Sequence, residues 1–121
     1  MIKIIIDYQV KSFKELFYNC KCISSINFKK FSRINITDMK DMFSFCKGLT
    51  SLNLSNFNTN NVTDMNGMFN YCSKLTSLDL FSFNINNVKD MKDMFIGLNK
   101  NFKIITNDKK LNELKKNINK Y

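Results

Sequence analysis

The sequence predicts an α/β solenoid, and three observations lead to that prediction. A motif of the form D-M-x-x-M-F returns every 26 residues, ending at Phe43, Phe69 and Phe95, with a fainter copy ending at Phe17. Three units, starting at Phe17, Phe43 and Phe69, align without gaps. Each unit joins an alternating hexamer to a stretch with helical spacing. A fixed period of roughly 20 to 50 residues is typical of solenoids, whose units are stable only against their neighbours.

The alternating hexamers predict one short strand per unit. In "LTSLNL", Leu49–Leu54, the side chains of Leu52 and Leu54 should point inward and those of Ser51 and Asn53 outward. "ISSINF", Ile23–Phe28, and "LTSLDL", Leu75–Leu80, occupy the same register. Parallel strands need a connection of about a dozen residues or more. The rest of each unit is long enough to supply it, so we expect a parallel sheet on one side.

A turn-rich run follows each hexamer and predicts a corner. In "SNFNTNNV", Phe57 should fill the core beneath the corner, and Phe31 and Phe83 hold the same position in the adjacent units. Asn61 aligns with Asn35 and Asn87. Stacked amides at this corner can satisfy buried backbone groups, so we expect an asparagine ladder.

The recurring D-M-x-x-M-F motif predicts a short helix on the side opposite the sheet. Val62, Met65, Met68 and Phe69 are spaced as one apolar helix face. Thr63 or Asp64 could cap its beginning. Two helical turns are not stable alone in water, so this face must pack on the strands.

The cysteines predict buried thiols rather than a metal site. Cys20, Cys46 and Cys72 share one register, and Leu98 takes that place in the next unit. A position that accepts leucine is apolar and needs no ligand. A zinc site that also used Cys22 would lack paired C-x₂-C spacing, and three equivalent thiols cannot all pair as disulfides. We expect no metal and no cofactor.

The predicted organisation has three parts. Residues 1–16 form an N-terminal cap and partial repeat, with a strand or cap in Ile2–Ile6. Residues 17–95 hold three repeats, and residues 96–121 form a degenerate last repeat and a basic helical cap. Leu111, Leu114 and Ile118 give this cap its apolar face. A polar lid of this kind prevents the open end from stacking on another copy.

The charge of the chain raises a second class of function. The net charge is +9, and the basic residues crowd toward both ends, leaving Lys74 alone between Gly48 and Asn87. Basic surfaces can bind nucleic acid or acidic polymers, although solubilising ends explain the pattern more simply. No stretch has the ~20 apolar residues of a membrane span, and no signal peptide is visible at Met1. These features do not determine the cellular location of the protein, and the cytoplasm is one of the alternatives.

Enzymatic chemistry has little support in the sequence. The chain contains no histidine and none of the nucleotide-binding or nucleophile motifs. What remains is the outer face of the sheet, which carries small polar side chains and one aromatic ring. The candidate partner-binding residues on this face are Lys29, Asn53, Ser55, Asp79 and Phe81. Phe81 would either anchor a partner or pack under the C-terminal cap.

The repeated phrase "CxxLTSLxLxxFNxNNVxDMxxMF", spanning about Val10 to Leu98, resembles that of the BspA-like leucine-rich-repeat surface proteins, also described as a mycoplasma-type lipoprotein repeat. This resemblance implies a right-handed solenoid with short helices opposite a parallel sheet, a cell-surface or secreted location, and a role in adhesion. We therefore expect a non-enzymatic module that binds a protein partner through its sheet face. The alternatives are a basic module for nucleic acid or acidic surfaces, and a truncated repeat-array copy without an independent role.

Overall fold

The chain forms a small α/β structure with short parallel strands and one short α-helix. The computed structural model describes residues 4–5, 9–28 and 35–118. Its strands are β1 (Ser25–Asn27), β2 (Ser51–Asn53), β3 (Ser77–Asp79) and β4 (Lys103–Ile105). The helix α1 (Lys109–Leu114) continues into a 3₁₀ turn at Lys115–Asn117. Each strand is the centre of a predicted hexamer or of its equivalent in the last unit.

The strands pair in parallel at the predicted interval. Ser25 of β1 lies opposite Ser51 of β2, and Ser77 of β3 lies opposite Lys103 of β4. The middle residue of β2 and of β3 is buried while its two neighbours are exposed. This confirms the predicted inward and outward alternation. Within the described residues, however, β2 and β3 are not joined by strand pairing, so the strands form two two-stranded sheets.

The segments predicted as short helices are not helices, and this part of the prediction was wrong. Residues 13–20, 39–46, 65–72 and 91–98 instead form consecutive turns, which we call turn ribbons. Within a ribbon, alternate N–H groups close i to i+3 turns, as when Met42 N–H donates to the carbonyl of Met39. The intervening N–H groups donate to the next ribbon, as when Phe43 N–H lies 2.9 Å from the carbonyl oxygen of Met68.

Left-handed backbone conformations make this turn pattern possible. One set of equivalent positions with φ between 52° and 62° contains Glu15, Asp41, Gly67 and Asp93. A second set, with φ between 56° and 72°, contains Asn19, Phe45, Tyr71 and Gly97. A positive φ at the third residue of a turn is the geometry of type II turns, and it ends any α-helix. The aspartate of the D-M motif serves a turn as well, because the side chain of Asp64 accepts a hydrogen bond from the N–H of Asn66 at 2.8 Å.

The helix prediction failed because two structures bury the same set of residues. Val62, Met65, Met68 and Phe69 are fully buried, as predicted for a helix face. An α-helix would satisfy the backbone within each unit, whereas the ribbon satisfies half of it through neighbouring units. Local spacing cannot distinguish these arrangements, since the neighbouring carbonyls are 25 residues away in sequence.

The core is a column of parallel aromatic rings, which confirms the predicted equivalence of the four phenylalanines. The ring centroids of Phe17 and Phe43 are 5.6 Å apart, those of Phe43 and Phe69 are 5.7 Å apart, and those of Phe69 and Phe95 are 6.0 Å apart. The interplanar angles are 3° to 4°. Each ring therefore covers the face of the next and is buried by it.

The corners follow the prediction in outline. Phe57 stacks on Phe83 with centroids 6.3 Å apart, while Phe31 lies outside the described residues. Two of the three asparagine amides, those of Asn35 and Asn87, donate to backbone carbonyls. Asn87 Nδ2 donates to the carbonyl of Asn60 at 2.7 Å, and Asn35 Nδ2 donates to that of Val10 at 3.5 Å.

The C-terminal segment closes the last unit. Asp108 caps α1 by accepting a hydrogen bond from the N–H of Leu111 at 3.0 Å. Leu111 and Ile118 are buried in the core, and Leu114 is partly buried against it. The helical and apolar character predicted for this segment is thus confirmed. At the other end, Ile4 and Ile5 are exposed and belong to no strand, and the rest of the predicted Ile2–Ile6 segment lies outside the described residues.

Candidate functional site

The outward-facing side chains of the strands form one small polar surface, which we call the sheet face. Asn53 ends β2 and Ser55 lies two residues beyond it. Asp79 ends β3 and Phe81 lies two residues beyond it. All four side chains are exposed. The 26-residue repeat makes Asn53 equivalent to Asp79, and likewise Ser55 to Phe81. Lys29, the fifth predicted residue, lies outside the described residues.

Short side-chain hydrogen bonds fix the ends of these strands. Asn53 Oδ1 accepts from the N–H of Ser55 at 3.0 Å and from its hydroxyl at 2.7 Å. Asp79 Oδ1 accepts from the N–H of Phe81 at 3.0 Å. These i to i+2 bonds are Asx turns, which hold the backbone after each strand in one conformation. The backbone that carries the Phe81 side chain is therefore fixed.

Phe81 is the main apolar feature of this surface. Its side chain is 55% exposed, so the C-terminal segment does not cover it. Of the two predicted roles, packing under the cap is therefore wrong. The physical reason is that α1 packs on the core through Leu111, which leaves the outer side of β3 uncovered. An exposed aromatic ring on an ordered backbone can provide contact area for a partner at little entropic cost.

A shallow groove crosses the sheet face between β2 and β3. Its volume is about 280 Å³, and it is open to solvent. It coincides with the place where strand pairing is interrupted. The groove is lined by main-chain and side-chain atoms of Thr50, Ser51, Leu52, Asn53, Leu54, Ser55, Ser77, Asp79 and Ile105. Hydroxyl and amide groups can both donate and accept hydrogen bonds there, and the carboxylate of Asp79 can accept them.

One lining residue was missed by sequence reasoning. Ile105 is 45% exposed and lies opposite Asp79 in the β3–β4 register, so it ends the row that contains Asn53 and Asp79. Extending the repeat alignment by one unit, past Phe95, would have found it. The last hexamer, "NFKIIT", begins with Asn and ends with Thr where the other hexamers have apolar residues, which is why its strand was not recognised.

The four cysteines are all free thiols, and Cys22 is exposed. Cys46 and Cys72 are buried, and each thiol donates to a backbone carbonyl 3.0 Å away, that of Phe17 and Phe43 respectively. This confirms the prediction of core thiols at these two positions. The neighbouring Cys46 thiol and burial raise the pKa of Cys72, and burial raises the pKa of Cys20. A thiol that keeps its proton is a poor nucleophile and a poor metal ligand.

Two other kinds of site are absent from the described part of the chain. No group of three or more cysteine, aspartate or glutamate side chains is arranged to hold a metal ion there. Among the same residues, no helix has the length and apolar character needed to cross a bilayer.

The basic residues concentrate at the two ends of the molecule. Lys109, Lys110, Lys115 and Lys116 are exposed on the C-terminal segment, and Lys11, Lys14 and Lys21 are exposed on the first unit. The sheet face between them carries few charges. Two candidate surfaces with different chemistry are therefore present, one polar and aromatic and the other cationic.

Comparison with known proteins places the chain in a family without assigning an activity. A family model described as "Mycoplasma protein of unknown function, DUF285" matches residues 11–120. The comparison with curated proteins finds no match, and neither does the comparison with solved structures. The match includes all four strands, the turn ribbons and α1. Because it covers nearly the whole chain, the protein belongs to the DUF285 family.

Proposed function

We propose that this protein is a short leucine-rich-repeat-like solenoid of the BspA-like kind, and that it acts as a non-enzymatic module binding a protein partner through its sheet face. The observation that carries the proposal is Phe81. Its ring is 55% exposed, its backbone is fixed by Asp79, and Asp79 also lines the groove. An aromatic anchor surrounded by polar hydrogen-bonding groups is the usual composition of a binding hot spot.

Two further features support the sheet face as the binding surface. Its polar groups are presented by strands whose inward residues, such as Leu52 and Leu78, are buried, so the surface is rigid. A rigid surface loses little entropy on binding. The interrupted pairing between β2 and β3 also leaves backbone groups available to a partner at the groove. Adhesion to a cell surface is the form of this function that the family resemblance favours.

Substitution of Phe81 tests this function. In quantitative binding to immobilised surface glycoproteins and to fractionated lysate proteins, Phe81→Ala should weaken the partner interaction by about tenfold or more, as expected for a hot-spot residue. Its melting temperature should equal that of the wild type, since the ring contributes little to the core. Tyr18→Ala is the matched control, because Tyr18 is a 47%-exposed aromatic residue on another surface. Equal losses in both variants would contradict the assignment.

A second candidate function rests on the exposed lysines of the C-terminal segment. A cationic surface binds nucleic acid or acidic polymers mainly by displacing counterions, so its affinity falls steeply as salt is added. Binding to a nucleic acid duplex or an anionic vesicle should therefore be titrated with salt. Affinity that depends steeply on salt and is lost in Lys109→Ser/Lys110→Ser would favour this function. Affinity that survives high salt and depends on Phe81 would favour the sheet face.

A further inference from the structure

The turn ribbons have a direction, because donors and acceptors point to opposite ends of the molecule. In each contact between ribbons, the N–H groups belong to the earlier unit and the carbonyls to the later one. Phe13, Glu15, Phe17 and Asn19 donate in this way to the second ribbon at 2.8 to 2.9 Å. Every ribbon therefore presents carbonyls toward the N-terminal end and N–H groups toward the C-terminal end.

At the N-terminal end this pattern leaves four acceptors open. The backbone carbonyls of Ser12, Lys14, Leu16 and Tyr18 are equivalent to those that accept hydrogen bonds in the second ribbon, but they accept none among the described residues. We call this set the acceptor edge. Its apolar side chains are incompletely covered, since Leu16 is 37% exposed and Tyr18 is 47% exposed. The residue equivalent to Leu16 in the second unit, Met42, is fully buried.

At the C-terminal end the pattern leaves donors open. The N–H groups of Met91, Asp93 and Phe95 are equivalent to donors of the earlier ribbons and make no hydrogen bond within the described residues. The fourth donor of the set, Gly97 N–H, is taken by the carbonyl of Ile118 at 3.3 Å. We call these four groups the donor edge. Leu111 and Ile118 pack over the core at this end, so the C-terminal segment acts as its cover.

The two edges match in number, spacing and hydrogen-bonding character. Continuing the register between ribbons, Met91 would donate to Ser12 of a second copy, Asp93 to Lys14, Phe95 to Leu16 and Gly97 to Tyr18. A pair of acceptor edges cannot bond, because carbonyls would face carbonyls. The geometry therefore excludes a two-fold symmetric dimer through the N-terminal ends and favours a head-to-tail contact, which leaves both outer edges open.

We propose that the acceptor edge is an assembly surface whose partner is the donor edge of a second copy of this chain, exposed when α1 moves off its own last ribbon. The C-terminal segment then acts as an autoinhibitory cover. In the closed chain it holds one of the four donors and buries two apolar side chains, which prevents stacking of copies. Open edges with unpaired backbone groups readily pair with a matching edge.

Full-chain variants test the proposal by opening one edge and blocking the other. Leu111→Asp replaces a fully buried residue of the cover and should release α1. Leu16→Lys with Tyr18→Lys places charges on the exposed acceptor edge and should block it.

In sedimentation velocity, the wild type should remain monomeric at micromolar concentration. Leu111→Asp should instead form oligomers that lengthen with concentration, its average mass rising by roughly twofold or more, as open head-to-tail contacts do.

The combination of the three substitutions gives the sharpest test. This variant keeps only the donor edge, so it should be monomeric alone and form a 1:1 complex with the wild type. The Leu16→Lys/Tyr18→Lys variant, with its cover intact, should not bind the wild type. Phe81→Ala should change none of these results. Self-association of the triple variant as strong as that of Leu111→Asp would show general stickiness of an exposed core and overturn the proposal.

A milder substitution keeps the proposal testable if Leu111→Asp does not fold. If circular dichroism shows that Leu111→Asp is unfolded, Asp108→Ala removes only the cap of α1 and is tested in the same way. The wild type at millimolar concentration provides a third measurement. Mass action should then favour self-association by molecules in which α1 has moved off the last ribbon. Its self-association should resist salt and disappear in Leu16→Lys/Tyr18→Lys. No self-association in a folded uncapping variant, or in the wild type at this concentration, would overturn the proposal.

Discussion

The two sides of the molecule hold the repeat units together to different extents. On the ribbon side, four backbone hydrogen bonds join the first ribbon to the second, four join the second to the third, and four join the third to the fourth. On the strand side, β1 pairs with β2 and β3 pairs with β4, but the described residues show no pairing between β2 and β3. The central contact between units therefore depends on the ribbons, the phenylalanine column and the corner.

This difference separates stability from recognition. The ribbon side carries the residues that the sequence repeats most closely, and in the second and third ribbons their apolar side chains are buried and their N–H groups bond to the next ribbon. The strand side carries the residues that differ between units, such as Ser55 and Phe81, and it is open at the groove. A surface can vary in sequence without loss of folding when another part of the unit fixes its register.

The largest expected effect is the loss of a ring from the centre of the ribbon side. Phe69 is fully buried and stacks on Phe43 and Phe95, so Phe69→Ala removes two ring contacts and leaves a cavity. It should lower the free energy of unfolding by about 3–5 kcal/mol, measured by urea denaturation. Phe81→Ala, the matched control on the sheet face, should change it by less than about 0.5 kcal/mol. Similar losses in the two variants would remove the proposed division between the sides.

A smaller effect is expected at the left-handed positions of the ribbon. Gly67 has φ of 62°, and a Cβ there would clash with Asp41 Oδ1. Gly67→Ala should destabilise the protein by about 1–2 kcal/mol, because it combines left-handed strain with displacement of that carboxylate.

Asp41, the equivalent position in the previous unit, provides a control substitution that should not lower the stability of the protein. Asp41 has φ of 52°, and burial raises the pKa of its carboxyl. Asp41→Gly relieves both costs and should be neutral or stabilising in the same denaturation experiment at pH 7. The benefit should shrink as the pH falls through the raised pKa of the folded state, and it should be lost below the unfolded pKa, where the wild-type carboxyl is protonated in both states and no longer carries a buried charge. Destabilisation by Asp41→Gly would show that the left-handed backbone and the buried carboxyl do not cost stability at this position.

The smallest effect on global stability, but a clear local one, is expected in hydrogen exchange. Ser51 N–H donates to Ser24 at 3.3 Å and Lys103 N–H donates to Thr76 at 2.9 Å. Ser77 occupies the same row, yet its N–H makes no hydrogen bond within the described residues. The Ser77 amide should therefore exchange faster than the amides of Ser51 and Lys103, as measured by NMR. Equal protection of all three would show that β2 and β3 pair in solution and that the groove closes.

The burial patterns of this protein could be predicted from its sequence, whereas the groove between β2 and β3 could not. The period of the phenylalanines gave the column of rings, and the alternation in Leu49–Leu54 gave the inward and outward faces. Both follow from burial patterns, which are local properties of the chain. The groove and the role of Ile105 depend on how two strands meet, and Ile105 lies in a hexamer whose pattern has decayed.

The sequence by itself determined which residues are equivalent, which of them are buried, and that no unit could be stable without its neighbours. Only the tertiary structure decided that the D-M-x-x-M-F segments are turn ribbons instead of helices. The reason is that the choice depends on where the backbone N–H groups find acceptors. In the first three ribbons, half of the N–H groups find their acceptors in the next unit, which a sequence pattern within one unit cannot show.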